Sequence, residues 1–113
     1  MEAVAYRFAF VSEALDSLAP QAAVLAAGNA LLASPCWTQI IADVLGRPVR
    51  LSTAHEASCR GAALLALEAI GKIENLAQLS PPFDRVFDPD RARHEKYHVA
   101  RVMQQDAYDK VFK

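Results

Sequence analysis

This chain of 113 residues is short of several things that would point quickly to a function. It has no excess of charge: 12 basic residues stand against 13 acidic ones, a formal net charge of −1. Bulk charge therefore gives no reason to expect a nucleic acid or an anionic membrane as partner. It has no apolar run long enough to cross a bilayer. The longest mainly apolar stretch, Ala22 to Ala33, is too short and is broken by Gly28 and Asn29. The start, Met1-Glu2, carries no basic segment of the kind that opens a signal peptide, so a cytoplasmic location is expected. Cysteine is scarce: Cys36 and Cys59 form no CxxC pair, which weakens metal and redox readings. Each lies near the start of an expected helix, and both are read as reduced thiols.

What is present suits one soluble domain. About half the residues are apolar and about a fifth are charged, and the length allows a real core. Val4, Phe8, Val11, Leu15 and Leu18 recur every three to four residues, which predicts a helix with one apolar stripe, stopped by Pro20. Ala22 to Ala27 is too short for a helix and reads as a buried strand. Gly28-Asn29 then signals a turn. Ser34-Pro35 looks like an N-cap followed by proline at the first helical position, Trp37, Ile40, Ile41, Val44 and Leu45 form an apolar face, and Gly46 fits the residue that ends the helix. Pro48 to Ser52 reads as a second strand. This strand–helix–strand unit predicts a right-handed parallel crossover. A third helix is expected from Glu56 to Ile70, where Gly61 and its neighbouring alanines suggest close packing on another backbone. Lys72 to Asp90, with Pro81, Pro82 and Pro89, reads as a connector. Pro89 to Phe112 reads as a charged amphipathic helix with Tyr97, Ala100, Met103, Ala107 and Val111 on its inner face.

The stretch from Gly28 through Ser34-Pro35-Cys36-Trp37-Thr38-Gln39 to Ala42-Asp43-Val44-Leu45-Gly46-Arg47-Pro48-Val49 resembles the C-terminal domain of the FGGY carbohydrate kinases. There a strand ends in a glycine pair and is followed by a Ser-Pro-x-Trp-x-Gln helix and an Ala-Asp-x-x-Gly-x-Pro-Val stretch. The block Glu56-Ala57-Ser58-Cys59-Arg60-Gly61-Ala62-Ala63 and the leading Ala3-Val4-Ala5-Tyr6-Arg7 fit the same family. The tail from Pro81 to Tyr97 is most similar to its gluconate-kinase-like branch. The resemblance covers nearly all of residues 1–113 and implies an α/β fold: a partial RNase H-like (actin-like ATPase) lobe with a short parallel sheet and about four helices.

It also implies a function. In this family the turn after the strand holds the adenosine and inner phosphates of ATP, used with Mg²⁺ to phosphorylate a sugar or sugar acid such as gluconate or xylulose. Gly28, Asn29, Ala30 and Ser34 become candidate nucleotide contacts, with Gln39 a weaker one deeper in the helix. Small residues let backbone amides approach a phosphate, and a helix N-terminus adds free N–H donors. Asn29 replaces the family's second glycine, and asparagine tolerates left-handed angles best among the other residues. The sugar-binding lobe, the other phosphate loops and the catalytic aspartate of the family have no counterpart here. The chain alone is therefore expected to be inactive, with no catalytic residue assigned. Asp43 is read as structural.

Two rival readings accompany this one. In the family's lobe further strands precede the first helix and pair beside the Ala22–Ala27 strand, so the resemblance implies that without them this strand presents an open edge and the helices lose apolar cover. Open edges and apolar patches invite self-association, so a homo-oligomeric remnant that binds no nucleotide is the first rival. The second starts from His94-Glu95-Lys96-Tyr97-His98, which matches the HExxH zinc hydrolase pattern. A third ligand there is limited to Asp106 or Asp109, and the surroundings read as a solvated helix, so no metal site is assigned. Arg47, Arg50 and Arg60 read as solvated or ion-paired rather than as a basic patch.

Overall fold

A computed structural model describes residues 1–112. Helix α1 (Glu2–Asp16) leads through a turn to strand β1 (Val24–Ala26). The short helix α2 (Asn29–Leu32), helix α3 (Pro35–Leu45) and strand β2 (Val49–Ser52) follow. Then come helix α4 (Ala57–Ala69), a 3₁₀ turn (Leu76–Gln78), strand β3 (Phe83–Phe87) and the long helix α5 (Arg91–Phe112).

Local chemistry sets the ends of α3 as expected. Ser34 Oγ accepts a hydrogen bond from Trp37 N (3.3 Å), Pro35 opens the helix, and Gly46 closes it at φ 65°, ψ 24°. The unit β1–α3–β2 gives parallel pairing, with Val24 opposite Val49 and Ala26 opposite Leu51. The sheet is nevertheless mixed. The stretch expected to be only a connector contains β3, which pairs antiparallel with β2 and places Phe87 opposite Val49. The strand order is β1-β2-β3, so β1 and β3 are both edges. Among the described residues there are five α-helices where about four were expected, the extra one being the short Asn29–Leu32 turn before α3.

The core gathers where α1 and α3 meet the sheet: Ala5, Ala9, Ile41, Ala42, Val44, Val49, Leu51 and Phe87 are buried. Ala5 and Ala9 lie one turn apart and face α3 across Ala42, so small side chains bring the two helices close. This reverses the expected orientation of α1. Its large apolar residues Val4, Phe8, Val11 and Leu15 remain about half exposed, and Leu18 is 80% exposed. α4 departs further from expectation. None of its residues is buried, and nothing lies within 4 Å of where a Gly61 Cβ would stand. Its main tie among the described residues is to the 3₁₀ turn, where Leu76 N donates to Glu68 Oε1 (2.8 Å). The radius of gyration, 16.6 Å, exceeds the roughly 13 Å of a compact domain this long. Helices with bare apolar faces standing off a small core account for the difference.

α5 packs on α3 and α1 through its first half. Tyr97 and Ala100 sit against the core as expected. Met103, Ala107 and Val111 do not, because the face turned to α1 runs through Tyr97, Arg101 and Tyr108. Arg101 Nη1 donates to Glu13 Oε1 (2.6 Å), and the Arg7 guanidinium lies 4.8 Å from the Tyr108 ring centre. Tyr6 and Tyr97 meet edge to face at 6.2 Å, and Tyr97 Oη donates to Glu2 Oε1 (3.3 Å). Burial, then the Glu2 charge, raises both phenols above their ordinary value of 10.0. A raised folded-state value favours the neutral form. Its stabilisation is complete below about pH 10 and is lost as pH rises through the raised value. Urea unfolding between about pH 8 and 11 should show a falling midpoint above pH 10, and Tyr97→Phe should reduce that fall.

Candidate functional site

β1 runs out at Ala26, and two residues later the chain turns sharply at Gly28 (φ 108°, ψ 150°). This backbone region is essentially restricted to glycine. Gly28 O then accepts from Leu31 N and Leu32 N (both 3.1 Å), which closes the first turn of α2. The amides of Asn29 and Ala30 belong to that first turn, where helix geometry supplies no acceptor. Both residues are exposed at the C-terminal end of β1. α2 in turn seats α3. Thr38, fully buried, donates from Oγ1 to Leu31 O (3.2 Å), and Ser34 caps the helix beside it.

The structure thus brings Gly28, Asn29 and Ala30 into one turn and places Ser34 at the start of the next helix. It assigns the left-handed backbone to Gly28 alone. Asn29 is the first residue of α2, and Gln21 is the only non-glycine residue of positive φ among those described. The expected reliance on the left-handed tolerance of asparagine is therefore corrected: Asn29 fits because the position is helical. Gln39 is not at this turn. Its Nε2 donates to Asp43 Oδ1 (2.9 Å) and to Asp88 O (2.8 Å). Asp88 follows the end of β3 that pairs with the start of β2, the opposite end of the strands from Gly28.

Gln39 belongs to a second constellation that the sequence did not announce. The Asp43 carboxylate is buried and accepts from Gln39 Nε2 and Asp90 N (2.8 Å) on Oδ1 and from Arg93 Nε (2.7 Å) on Oδ2. The Asp43 hydrogen bond holds the Arg93 guanidinium above its usual value, so it stays charged. His94 Nδ1 donates to the Asp43 backbone oxygen (2.8 Å). The first histidine of HExxH is thus engaged with the end of α3, while His98 is exposed. Among the described residues no three His, Cys, Asp or Glu side chains gather where they could hold one metal ion. Arg47 and Arg50 do not form a basic patch: Arg47 pairs with Asp16 (2.9 Å), and Arg50 lies over the Phe83 ring.

A phosphate-bearing ligand suits the Gly28 turn: Gly28 has no side chain, Asn29 and Ala30 are exposed residues, and a helix starts there. A metal ion has no ligand set at it. From Ser17 to Ala42 the chain carries no acidic residue, and the flanking Asp16 and Asp43 are bonded to Arg47 and Arg93.

Residues 1–70 match the model of the FGGY family of carbohydrate kinases, C-terminal domain. The chain belongs to this family. An autoinducer-2 kinase of Escherichia coli K12 is 30% identical over 96 residues, which is 82% of this chain and 18% of that protein. A probable L-xylulose kinase of Haemophilus influenzae is 33% identical over 64 residues, 57% of this chain and 13% of that protein. The crystal structure of xylulose kinase from Rhodospirillum rubrum superimposes with a TM-score of 0.77 at 33% identity, covering 97% of this chain and 22% of that one. The fold is accordingly part of an RNase H-like, actin-like ATPase lobe, as the resemblance implied. The FGGY chain spans about a fifth of the length of the relatives it matches.

No helix among the described residues is long and apolar enough to cross a membrane.

Proposed function

We propose that this FGGY chain is the nucleotide-side portion of an ATP-dependent sugar or sugar-acid kinase and is not catalytically complete alone. The observation that carries the reading is the Gly28 turn. A glycine in a backbone region closed to other residues ends the strand and presents the first amides of α2 to an incoming phosphate. Gly28, Asn29 and Ala30 supply the contact, with Ser34 fixing the next helix. Gln39 acts as a strut, because its amide is bonded at Asp43 and Asp88. Mg²⁺ would come with the nucleotide and be held by parts of the kinase outside this chain. The relatives act, by their names, on autoinducer-2, L-xylulose and xylulose. Xylulose or a sugar acid such as gluconate is the corresponding substrate class, bound only with the missing lobe in place. We place the protein in the cytoplasm. Without further cover, its exposed apolar faces on α1 and α4 favour self-association.

Calorimetry with ATP and ADP on the purified chain tests the reading. Asn29→Gly removes a side chain beside the exposed amides and should tighten binding. Gly28→Trp forces a large side chain into a glycine-only conformation and should abolish it. No heat from any version at millimolar nucleotide would reject nucleotide binding and leave the self-associating remnant.

A further inference from the structure

The segment around the Gly28 turn has no cation of its own with which to hold an anion, since no residue from Ser17 to Ala42 is charged. Its grip on a phosphate then depends on how its backbone amides are aimed. A peptide unit is planar and trans, so fixing its carbonyl fixes the N–H on the opposite side. Gly28 O accepts from Leu31 N and Leu32 N (both 3.1 Å), which turns Asn29 N–H the other way. Asn29 O accepts from Ala33 N (2.9 Å), which does the same for Ala30 N–H. Both amides are therefore aimed by α2. Yet α2 is one turn of four residues, none of them buried, and a single turn does not hold itself in water. Leu31 and Leu32 rest partly on the core, which places the turn but sets no direction for its peptides.

The direction comes from α3. Thr38 is fully buried and donates from Oγ1 to Leu31 O (3.2 Å), seven residues back along the chain. The other acceptor in reach, Ser34 O at 3.4 Å, is already served by Thr38 N (3.1 Å). Leu31 is also the residue whose N–H holds Gly28 O. One buried hydroxyl is thus linked, through one residue, to the peptide that presents Asn29 N–H. We infer that Thr38 is a positioning residue for the nucleotide. It touches no ligand; its hydroxyl holds α2 in the orientation in which Asn29 and Ala30 meet a phosphate of a nucleoside di- or triphosphate. This role rests on the nucleotide reading of the turn and adds to it a residue that lies outside the turn.

Two variants separate positioning from support of the core. Thr38→Val keeps a branched side chain in the core and removes the hydroxyl. It strands no acceptor, because Leu31 O keeps Ser34 N (3.3 Å) and Ser34 O keeps Thr38 N. Thr38→Ser keeps the hydroxyl and gives up a buried methyl. A merely structural role makes affinity follow stability, whereas positioning makes it follow the hydroxyl. ATP and ADP calorimetry on the full chain, with thermal melting and amide exchange of each variant, reads the difference. Thr38→Ser should bind within about twofold of the parent although it melts lower, whereas Thr38→Val should bind at least about fivefold more weakly. In Thr38→Val the amides of Leu31 and Leu32 should also exchange at least about fivefold faster, measured against the core amide of Val44. If Thr38→Val binds like the parent, or Thr38→Ser binds no better than Thr38→Val, the positioning role is overturned and the nucleotide reading stands. Weaker binding by Thr38→Val with unchanged exchange at Leu31 and Leu32 also overturns it. A parent chain that binds neither nucleotide overturns the nucleotide reading, and the role with it, whatever the exchange shows.

Discussion

Replacing Asp43 by alanine is expected to destabilise the chain by about 2–4 kcal/mol, more than removing any other single polar side chain. The carboxylate is nearly inaccessible and holds three donors from two parts of the chain: Gln39 in α3, and Asp90 and Arg93 at the start of α5. Asp90 in turn accepts from Arg93 N with its side chain (2.8 Å) and from His94 N with its carbonyl (2.8 Å), so the first turn of α5 is built on the residue that Asp43 anchors. Without the carboxylate, Gln39 keeps its bond to Asp88 and the exposed Asp90 amide can reach water. The cost therefore stays below that of stranding several buried groups. Asn at this position retains the oxygen that serves Gln39 and Asp90 but sets an amide against Arg93 Nε, and it should cost about half as much. Arg93→Ala should be milder than Asp43→Ala, because the guanidinium is half exposed and its pairing is screened. Urea denaturation of the three variants gives the order. If Arg93→Ala matched Asp43→Ala, the ion pair rather than the hydrogen-bonded hub would be the source of stability.

What the sequence made legible was decided by how far apart the interacting residues lie. The limits of α3 rest on chemistry within one or two turns, Ser34 with Trp37 and Gly46 with Ala42, and both were readable. So was Gly28, because a strand that ends in glycine before a helix is a local pattern. The strand Phe83-Asp-Arg-Val-Phe was hidden. It is an edge strand whose residues are exposed except Phe87, so no apolar run marks it, and its flanking prolines suggest a loop. On α1 the stripe was visible but its direction was not. Size ranking sends Phe8, Val11 and Leu15 inward, whereas the approach of Ala42 turns Ala5 and Ala9 inward and leaves the larger residues without cover. The role of Asp43 was foreseen only as structural. Its partners Asp90 and Arg93 lie 47 and 50 residues away, and no spacing rule reaches that distance. The HExxH match was read as a solvated helix with no metal site, but a pattern within five residues says nothing of the bond His94 makes to Asp43 O.

Gly46→Ala should be nearly as costly as losing Asp43, about 2–4 kcal/mol, for reasons that can be separated. The residue sits at φ 65°, where any side chain strains the backbone by about 1–2 kcal/mol. A Cβ there would also stand 2.5 Å from His94 Cε1 and 2.8 Å from both ring nitrogens. An imidazole at the end of a free side chain would swing aside, but this ring is tied to Asp43 O at 2.8 Å and its helix is anchored through Asp90. Making room therefore breaks that hydrogen bond, worth about 0.5–1.5 kcal/mol, or lifts the start of α5 away from α3. The double variant Gly46→Ala/His94→Ala removes the obstacle and leaves the backbone term. Its loss should fall short of the sum of the single losses by at least about 1 kcal/mol. Additive losses would mean that the ring does not fill the space over Gly46. A clear shortfall would establish that the left-handed end of α3 and the docking of α5 are one feature. The glycine would then serve two ends there, turning the chain toward β2 and leaving the gap into which α5 sets its histidine.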